Sequence, residues 1–384
     1  MAEMTTSGRG VPEIREVKVG FIPLTDCASV IIASVMKFDE KYGIKIIPVK
    51  QPSWAAVRDK LVSGELHAAH MLYGMVYGVH LGIGGLQKDM NVLMTINNNG
   101  QGISLASHFK DKGVTDGPSL ARLIKAQPGE YTFAHTYPTG THAMWLYYWL
   151  ASYGINPLRD IKTITVPPAQ MVARIGSVDG FCVGEPWNAR GIHDKVSFSV
   201  ASSQDIWPDH PEKVLGASAE FVQQHPDTAR ALVMAMLDAA KYIDAHRTRV
   251  AEIISDKAYV DAPVDVIQGR FLGNYEDGLG NKWHDPNCMQ FYNDGNVSFP
   301  YLSDGMWFLT QFKRWGLLEQ HPDYLGIARQ INQIELYKQA ASELNVAVPA
   351  GVMRSAILMD GMVWDGSNPE GYAAGFCVHA DGAC

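Results

Sequence analysis

The sequence predicts an α/β protein folded as two lobes, on three observations. At 384 residues the chain exceeds what one ordinary core organises. Its N-terminal part alternates strand, helix and strand on a spacing that implies a parallel sheet with crossover helices. The same alternation restarts near Tyr131, as a second lobe would.

Residues 17–24 form a short apolar strand pattern, followed by a loop and an apolar helical run over 28–38. A second strand is expected at 43–49, a second helix at 54–63 and a third strand at 68–73. The restart comprises a strand at 131–135 and a helix at 141–153 rich in Trp and Tyr. Strands at 160–166 and 178–183 flank a short helix at 169–175, and a longer helix covers 226–245. After Pro263 the pattern is mostly helical with Gly/Pro breaks. One lobe is therefore expected at 1–104, a second inserted at 105–215 and a return to the first at 216–384, with crossings near Ser104 and Leu215. The Gly-rich tail from Trp364 reads either as a surface wrap or as loose chain.

Composition narrows the function classes. Apolar residues make up 47% and are spread evenly, as in a soluble globular protein, and no run approaches the ~20 apolar residues that span a bilayer. The net charge of −8 argues against nucleic acid or an anionic membrane as direct partner, yet leaves room for a buried anion site. Residues 1–17 lack the apolar core of a signal peptide. Five cysteines, at 27, 182, 288, 377 and 384, are odd in number and show no disulfide spacing. A cytoplasmic protein is expected. The glycines of Gly82-Ile83-Gly84-Gly85 lack the Gly-Lys-Ser/Thr ending of a phosphate cradle.

The chemistry concentrates in five polar, turn-forming islands. They are Pro52-Ser53-Trp54, Asn97 to Gly102, Tyr137 to His142, Phe181-Cys182-Val183-Gly184-Glu185-Pro186-Trp187-Asn188 and Trp207 to Lys213. Each borders a hydrophobic segment, where α/β sheets present loops to a ligand. Trp54, Gln101, Thr141, His142 and Lys213 supply hydrogen-bond donors, which suits a small anion. Each has a bland reading too: Trp54 as core packing, Lys213 as a solvated helix-end lysine, His142 as a polar turn residue and Gly184 as a backbone requirement.

Taken together and in this order, the islands resemble the nitrate- and bicarbonate-binding proteins of cyanobacterial ABC transporters, over about residues 17–372. Val166-Pro167-Pro168-Ala169-Gln170-Met171-Val172 and His210-Pro211-Glu212-Lys213 belong to the same correspondence. The resemblance implies a two-lobe type II periplasmic-binding-protein fold with the ligand cleft between the lobes. It implies that the nitrate pocket falls on Trp54, Gln101, His142, Gly184 and Lys213. The bicarbonate relatives use calcium and an acidic residue near the position of Lys213, so a lysine resembles the nitrate branch. Without a secretion leader and linker, the chain is similar to the cytosolic nitrate/nitrite sensors that hold an ANTAR-type transcription antiterminator inactive until ligand arrives. Nitrate, nitrite and such an antiterminator are the implied partners, with no catalysis and no cofactor.

Nitrate is planar, singly charged and offers only acceptor oxygens, so its receptor needs donors on several sides and no acceptor aimed at the ligand. Glu185 is accordingly expected to face away and to pair with a cation or a backbone group. Two rival readings share the pocket. One is a transporter receptor with its leader removed; the other is an enzyme on the same fold, using His142 as base and Cys182 as nucleophile on a small metabolite. Two metal readings are weak: His67 and His70 with Glu65, whose strand would not aim all three at one point, and Cys377, His379 and Cys384 in the tail.

Overall fold

The chain builds two five-stranded mixed sheets. The computed structural model describes residues 10–382. In the first lobe β1 (Glu16–Phe21), α1 (Ala28–Val35), β2 (Lys45–Lys50), α2 (Trp54–Ser63), β3 (Ala68–Leu72), α3 (Tyr73–His80) and β4 (Met90–Asn98) follow in chain order. The second lobe contains β5 (Gln101–Ala106), α4 (Gly117–Ala126), β6 (Thr132–His135), α5 (Thr141–Ser152), β7 (Lys162–Thr165), β8 (Gly180–Gly184) and β9 (Ser197–Ser202). The chain then returns to the first sheet through β10 (Pro211–Ser218). The sheet orders are β2-β1-β3-β10-β4 and β7-β6-β8-β5-β9.

The expectation of purely parallel sheets needs correction. In each sheet the strand that follows a crossing runs antiparallel to its neighbours: β5 against β8 and β9, and β10 against β3 and β4. Sequence pattern marks β4, β5, β9 and β10 poorly because nearly all their residues are buried, so no in–out alternation survives. The antiparallel entry has a consequence for position. Parallel strands point their C-terminal ends at the cleft, whereas β5 and β10 begin there, with Gln101 and Lys213 in their first turns of chain. Ser104 lies inside β5 of the second sheet, and Leu215 inside β10 of the first.

Local chemistry explains the helices that match expectation. Ser53 caps α2 by accepting the Ala56 N–H at 3.2 Å, and Gly64 ends it at φ 80°. Pro226 opens the helix Pro226–Ala245, which packs on α1. The helix expected at 169–175 is instead two single 3₁₀ turns, Pro168–Gln170 and Val172–Arg174. The extended Ile175 and Gly176 at φ 107° stop the run before an α-helix can nucleate.

The lobes are in close contact. A β-carbon at Gly74 or Gly78 of α3 would collide with Thr139, so these glycines let α3 lie against the 137–140 loop of the other lobe. Trp145 of α5 meets Trp307 of the helix Leu302–Arg314 at 5.0 Å between ring centroids, and Trp207 joins them. The C-terminal segment wraps rather than hangs loose. Trp364 Nε1 donates to Ser303 O (2.9 Å), while Asp360 accepts from Tyr148 Oη of the second lobe (2.8 Å). Phe376 packs on the Arg314 guanidinium at 3.7 Å.

Candidate functional site

Five chain segments converge where the lobes meet. The loop between β1 and α1 brings Asp26, and the first residue of α2 is Trp54. The first turn of α5 brings Thr141 and His142, and the two crossing segments bring Gln101 and the pair Glu212 and Lys213. A β-bulge makes that pair possible. Pro211 pairs with Asn98 and Lys213 with Asn97, leaving Glu212 as the extra residue. Neighbours in a regular strand point to opposite faces; here both side chains reach the same place.

Lys213 Nζ is the hub. It donates to Asp26 Oδ2 at 2.7 Å, Glu212 Oε1 at 3.0 Å and Gln101 Oε1 at 3.3 Å, and it lies 6.0 Å from the Trp54 ring centroid. Gln101 Oε1 also accepts from His142 Nε2 at 2.7 Å, so the amide nitrogen turns to Asp26 Oδ2 and Asn99 O, both at 3.2 Å. Because Gln101 Oε1 can only accept, Nε2 carries the proton, and in the neutral ring Nδ1 accepts from the Thr136 hydroxyl at 2.5 Å. The remaining Asp26 oxygen accepts from His70 Nε2 at 2.7 Å. Glu212 accepts from the Thr141 hydroxyl and, at 2.7 Å, from Trp145 Nε1. Asp26, His70, His142, Glu212 and Lys213 have no exposed surface. The Trp54 indole N–H, also buried, has no hydrogen-bond partner among the described residues.

Gly184 ends β8 directly opposite Gln101. A β-carbon there would come 2.5 Å from Gln101 Oε1 and 3.0 Å from Leu24, so only glycine admits the Gln101 side chain. The backbone on either side ties the lobes together. Thr25 N donates to Glu185 O at 2.7 Å, and Trp187 Nε1 donates to Pro23 O at 3.0 Å.

Burial opposes every charge here, and pairing decides which charges persist. Burial alone would raise Asp26, but Lys213 and His70 overcome it and hold the carboxyl below the ordinary carboxylate range. Burial would lower Lys213, but Asp26 and Glu212 hold its ammonium above the ordinary lysine value. Burial raises Glu212, against the pull of Lys213, Thr141 and Trp145. Burial, aided by Lys213, pushes His142 well below the usual imidazole value; His210 falls to about 3, chiefly through burial.

The five expected site residues thus come together around Lys213. Two expectations about them change. Gln101 and Lys213 were expected on loops outside the core, whereas both are strand residues, buried within an ionic network. Two carboxylates, Asp26 and Glu212, stand among the donors, where none was expected. Asp26 and Glu212 carry no role in the sequence-based expectation and His70 enters it only as a weak metal ligand; the one available signal was an acid directly preceding the lysine in an irregular strand. Glu185 does turn away, to Arg270 Nη1 at 2.7 Å and the Ala189 N–H at 3.2 Å.

The rival chemistries find little support in this geometry. Burial pushes the Cys182 thiol well above its ordinary value, the reverse of an activated nucleophile. No cluster of three metal-ligating side chains occurs among the described residues, and Cys384 lies outside them. His70 is engaged with Asp26, and His67 Nδ1 accepts from the Lys18 N–H at 2.9 Å. A surface cavity of about 510 Å³ beside Arg270, Tyr275 and Trp283 includes none of the network residues.

Comparison with known proteins places this arrangement in a family. The sequence profile of the NMT1-like family matches residues 10–255. The chain belongs to the NMT1-like family. Within it, this member is 38% identical over 382 residues to the nitrate/nitrite binding protein NrtA of Synechocystis sp., covering 95% of this chain and 85% of that protein. It is 35% identical to the nitrate import ATP-binding protein NrtC of the same organism over 97% of this chain and 57% of that protein. The crystal structure of the periplasmic nitrate-binding protein NrtA from Synechocystis PCC 6803 superposes with a TM-score of 0.92 at 36% identity, covering 96% of this chain and all of that one. This NMT1-like protein therefore has the periplasmic-binding-protein fold, and the relatives named are nitrate-binding and nitrate-import proteins.

Proposed function

We propose that the protein binds nitrate and nitrite between its lobes and serves as the solute receptor of an ABC importer. The observation that carries the reading is the buried Lys213 ammonium, flanked by His142, Gln101 and the unpartnered Trp54 N–H at the junction of the lobes. Its relatives are nitrate-binding and nitrate-import proteins, which supports both the ligand and the transport role.

An anion entering this site trades places with internal carboxylates. Asp26 and Glu212 hold the lysine charged, so an incoming monoanion meets an ammonium that is already formed and oriented. Charge-assisted bonds of this kind are worth roughly 1.5–3 kcal/mol each. Nitrite, with the same charge and a smaller outline, is accepted by the same donors. Divalent anions such as sulfate and hydrogen phosphate would bring two negative charges beside the Asp26 and Glu212 carboxylates, which disfavours them.

Calorimetry with nitrate, nitrite, sulfate, and bicarbonate with and without calcium tests the ligand. Calcium-dependent bicarbonate binding tighter than nitrate binding would overturn it. The finer reading drawn from the resemblance, a cytosolic sensor that releases an ANTAR-type antiterminator, uses the same pocket; the transport names of the relatives favour the receptor. Size-exclusion chromatography with the antiterminator separates the two. A complex that nitrate dissolves would reinstate the sensor.

A further inference from the structure

The site has an awkward charge balance for a protein that takes up an anion. Lys213 contributes one positive charge, and Asp26 and Glu212 contribute two negative ones, all without exposed surface. A monoanion added to this set leaves two uncompensated negative charges in a desolvated space, a costly state unless a proton accompanies it.

Geometry selects the group that can accept such a proton. One Asp26 oxygen faces Lys213 Nζ and the Gln101 amide nitrogen, which only donate, and the other faces His70 Nε2. A proton on the first oxygen would point at a donor; a proton on the second would require His70, whose Nδ1 has no partner among the described residues, to change tautomer. Glu212 differs in one partner. Trp145 Nε1–H and Lys213 Nζ donate only, but the Thr141 hydroxyl on Oε1 can turn and accept. Protonated at Oε1, Glu212 would donate to Thr141 Oγ1 and keep Oε2 as acceptor for Trp145. Lys213, losing its bond to Oε1, would direct that N–H to the incoming anion.

We propose that Glu212 makes anion binding proton-coupled: one proton is taken up at its Oε1 as a nitrate-class monoanion replaces it on Lys213. This rests on the receptor reading above and names a determinant of that site. The step balances: one anion is bound, one O–H bond forms on Glu212, and the bond to that proton breaks in the hydronium or buffer acid that supplies it.

The groups facing Glu212 leave it as the titrating member. Lys213 stays an ammonium and Asp26 a carboxylate. His142 Nε2 lies 3.7 Å from Oε1 and His210 Nδ1 3.6 Å from Oε2. Burial holds both imidazoles neutral, and His210 Nε2 already accepts from Ser203, whose oxygen accepts the Gln101 N–H. Cys182, across the site on β8, stays a thiol. His142 is the closest competitor, because Thr136 on its Nδ1 could also turn. Protonating His142, however, would not free Lys213 from Glu212.

The test needs the native protein first. Nitrate titrations by calorimetry in buffers of different ionisation enthalpy, between about pH 5 and about pH 9, count the protons exchanged. Uptake approaching one proton per nitrate is expected, with Kd rising about tenfold per pH unit over the range of full uptake. Glu212→Gln imitates the protonated acid, its amide N–H facing Thr141 and its oxygen facing Trp145. It is expected to abolish proton uptake, to flatten the pH profile and to bind nitrate at least tenfold more tightly than the native protein at the alkaline end. Nitrate binding by the native protein without proton uptake at any pH overturns this inference and leaves the receptor reading standing. Uptake that persists in Glu212→Gln assigns the proton elsewhere and also overturns it. Absence of nitrate binding at every pH removes both.

Discussion

Lys213 and Asp26 lie 187 positions apart in the chain, and their side chains meet at 2.7 Å with neither exposed to solvent. The contact joins the strand that returns to the first lobe to the loop that opens α1. Through Gln101 and Glu212 it extends to His142, Thr141 and Trp145 of the second lobe. The residue proposed as the ligand's main contact is therefore also part of what holds the two lobes together.

The first prediction follows from this double role. Lys213→Ala should abolish nitrate binding and also lower the stability of the ligand-free protein by about 3–5 kcal/mol, because it strands two buried carboxylates. Thermal and urea denaturation of the ligand-free variant measure it. Lys213→Glu should be worse still, since it adds a third buried acid. An unchanged melting temperature for Lys213→Ala would contradict the network.

Gly184→Ala tests the packing of Gln101. The new methyl would sit 2.5 Å from Gln101 Oε1, so the amide must leave its position between His142 and Lys213. Nitrate affinity should fall at least tenfold with a stability loss of about 1–3 kcal/mol. Calorimetry and denaturation on one preparation report both.

Arg270 holds Glu185 beside the pocket without entering it. Its Nη1 reaches Glu185 at 2.7 Å and its Nη2 reaches Ser199 Oγ at 2.6 Å, with the ion pair almost wholly buried. Arg270→Ala should destabilise by about 3–5 kcal/mol. The double variant Arg270→Met with Glu185→Gln should recover much of that loss, as a double-mutant cycle would show.

Acid sensitivity follows from the buried histidines. Burial holds His135 at about 4 and His210 at about 3, whereas in the unfolded chain both titrate near 6.5. The unfolded state binds more protons below that value, so stability falls as pH drops from 6.5 toward the folded values. Between pH 6.5 and about pH 5 the loss should be about 2 kcal/mol for each. Glu212, raised by burial, acts in the opposite sense and offsets part of it. Urea midpoints between about pH 5 and about pH 7.5 check the slope.

The C-terminal wrap is open to truncation. Removing residues 353–384 would delete Trp364, Asp360 and Phe376 and leave Ser303 O, Tyr148 Oη and the Arg314 guanidinium without these partners. The melting temperature should fall by more than 5 °C, as about 1 kcal/mol shifts a chain of this size by a few degrees or less. Scanning calorimetry decides it.

Regular elements were legible where local chemistry alone specifies them. Ser53 and Gly64 bracket α2, and Pro226 starts the helix on α1, because caps and Pro act over a few residues. Trp54, Gln101, His142, Gly184 and Lys213 were legible as site candidates because each sits in a polar island between apolar segments, and because those islands together resemble a known family. The sequence by itself determined the alternation that contains β1 to β3, its one restart through β6 to β8 and the donor types available. Tertiary structure alone decided that β5 and β10 run antiparallel, which brings Gln101 and Lys213 to the cleft at the starts of their strands. It also decided that a bulge turns Glu212 beside Lys213, and that Asp26 meets both Lys213 and Gln101. The reason is physical: strand direction, a one-residue bulge and a buried charge pair depend on partners far along the chain, and residues near Lys213 in sequence do not specify them.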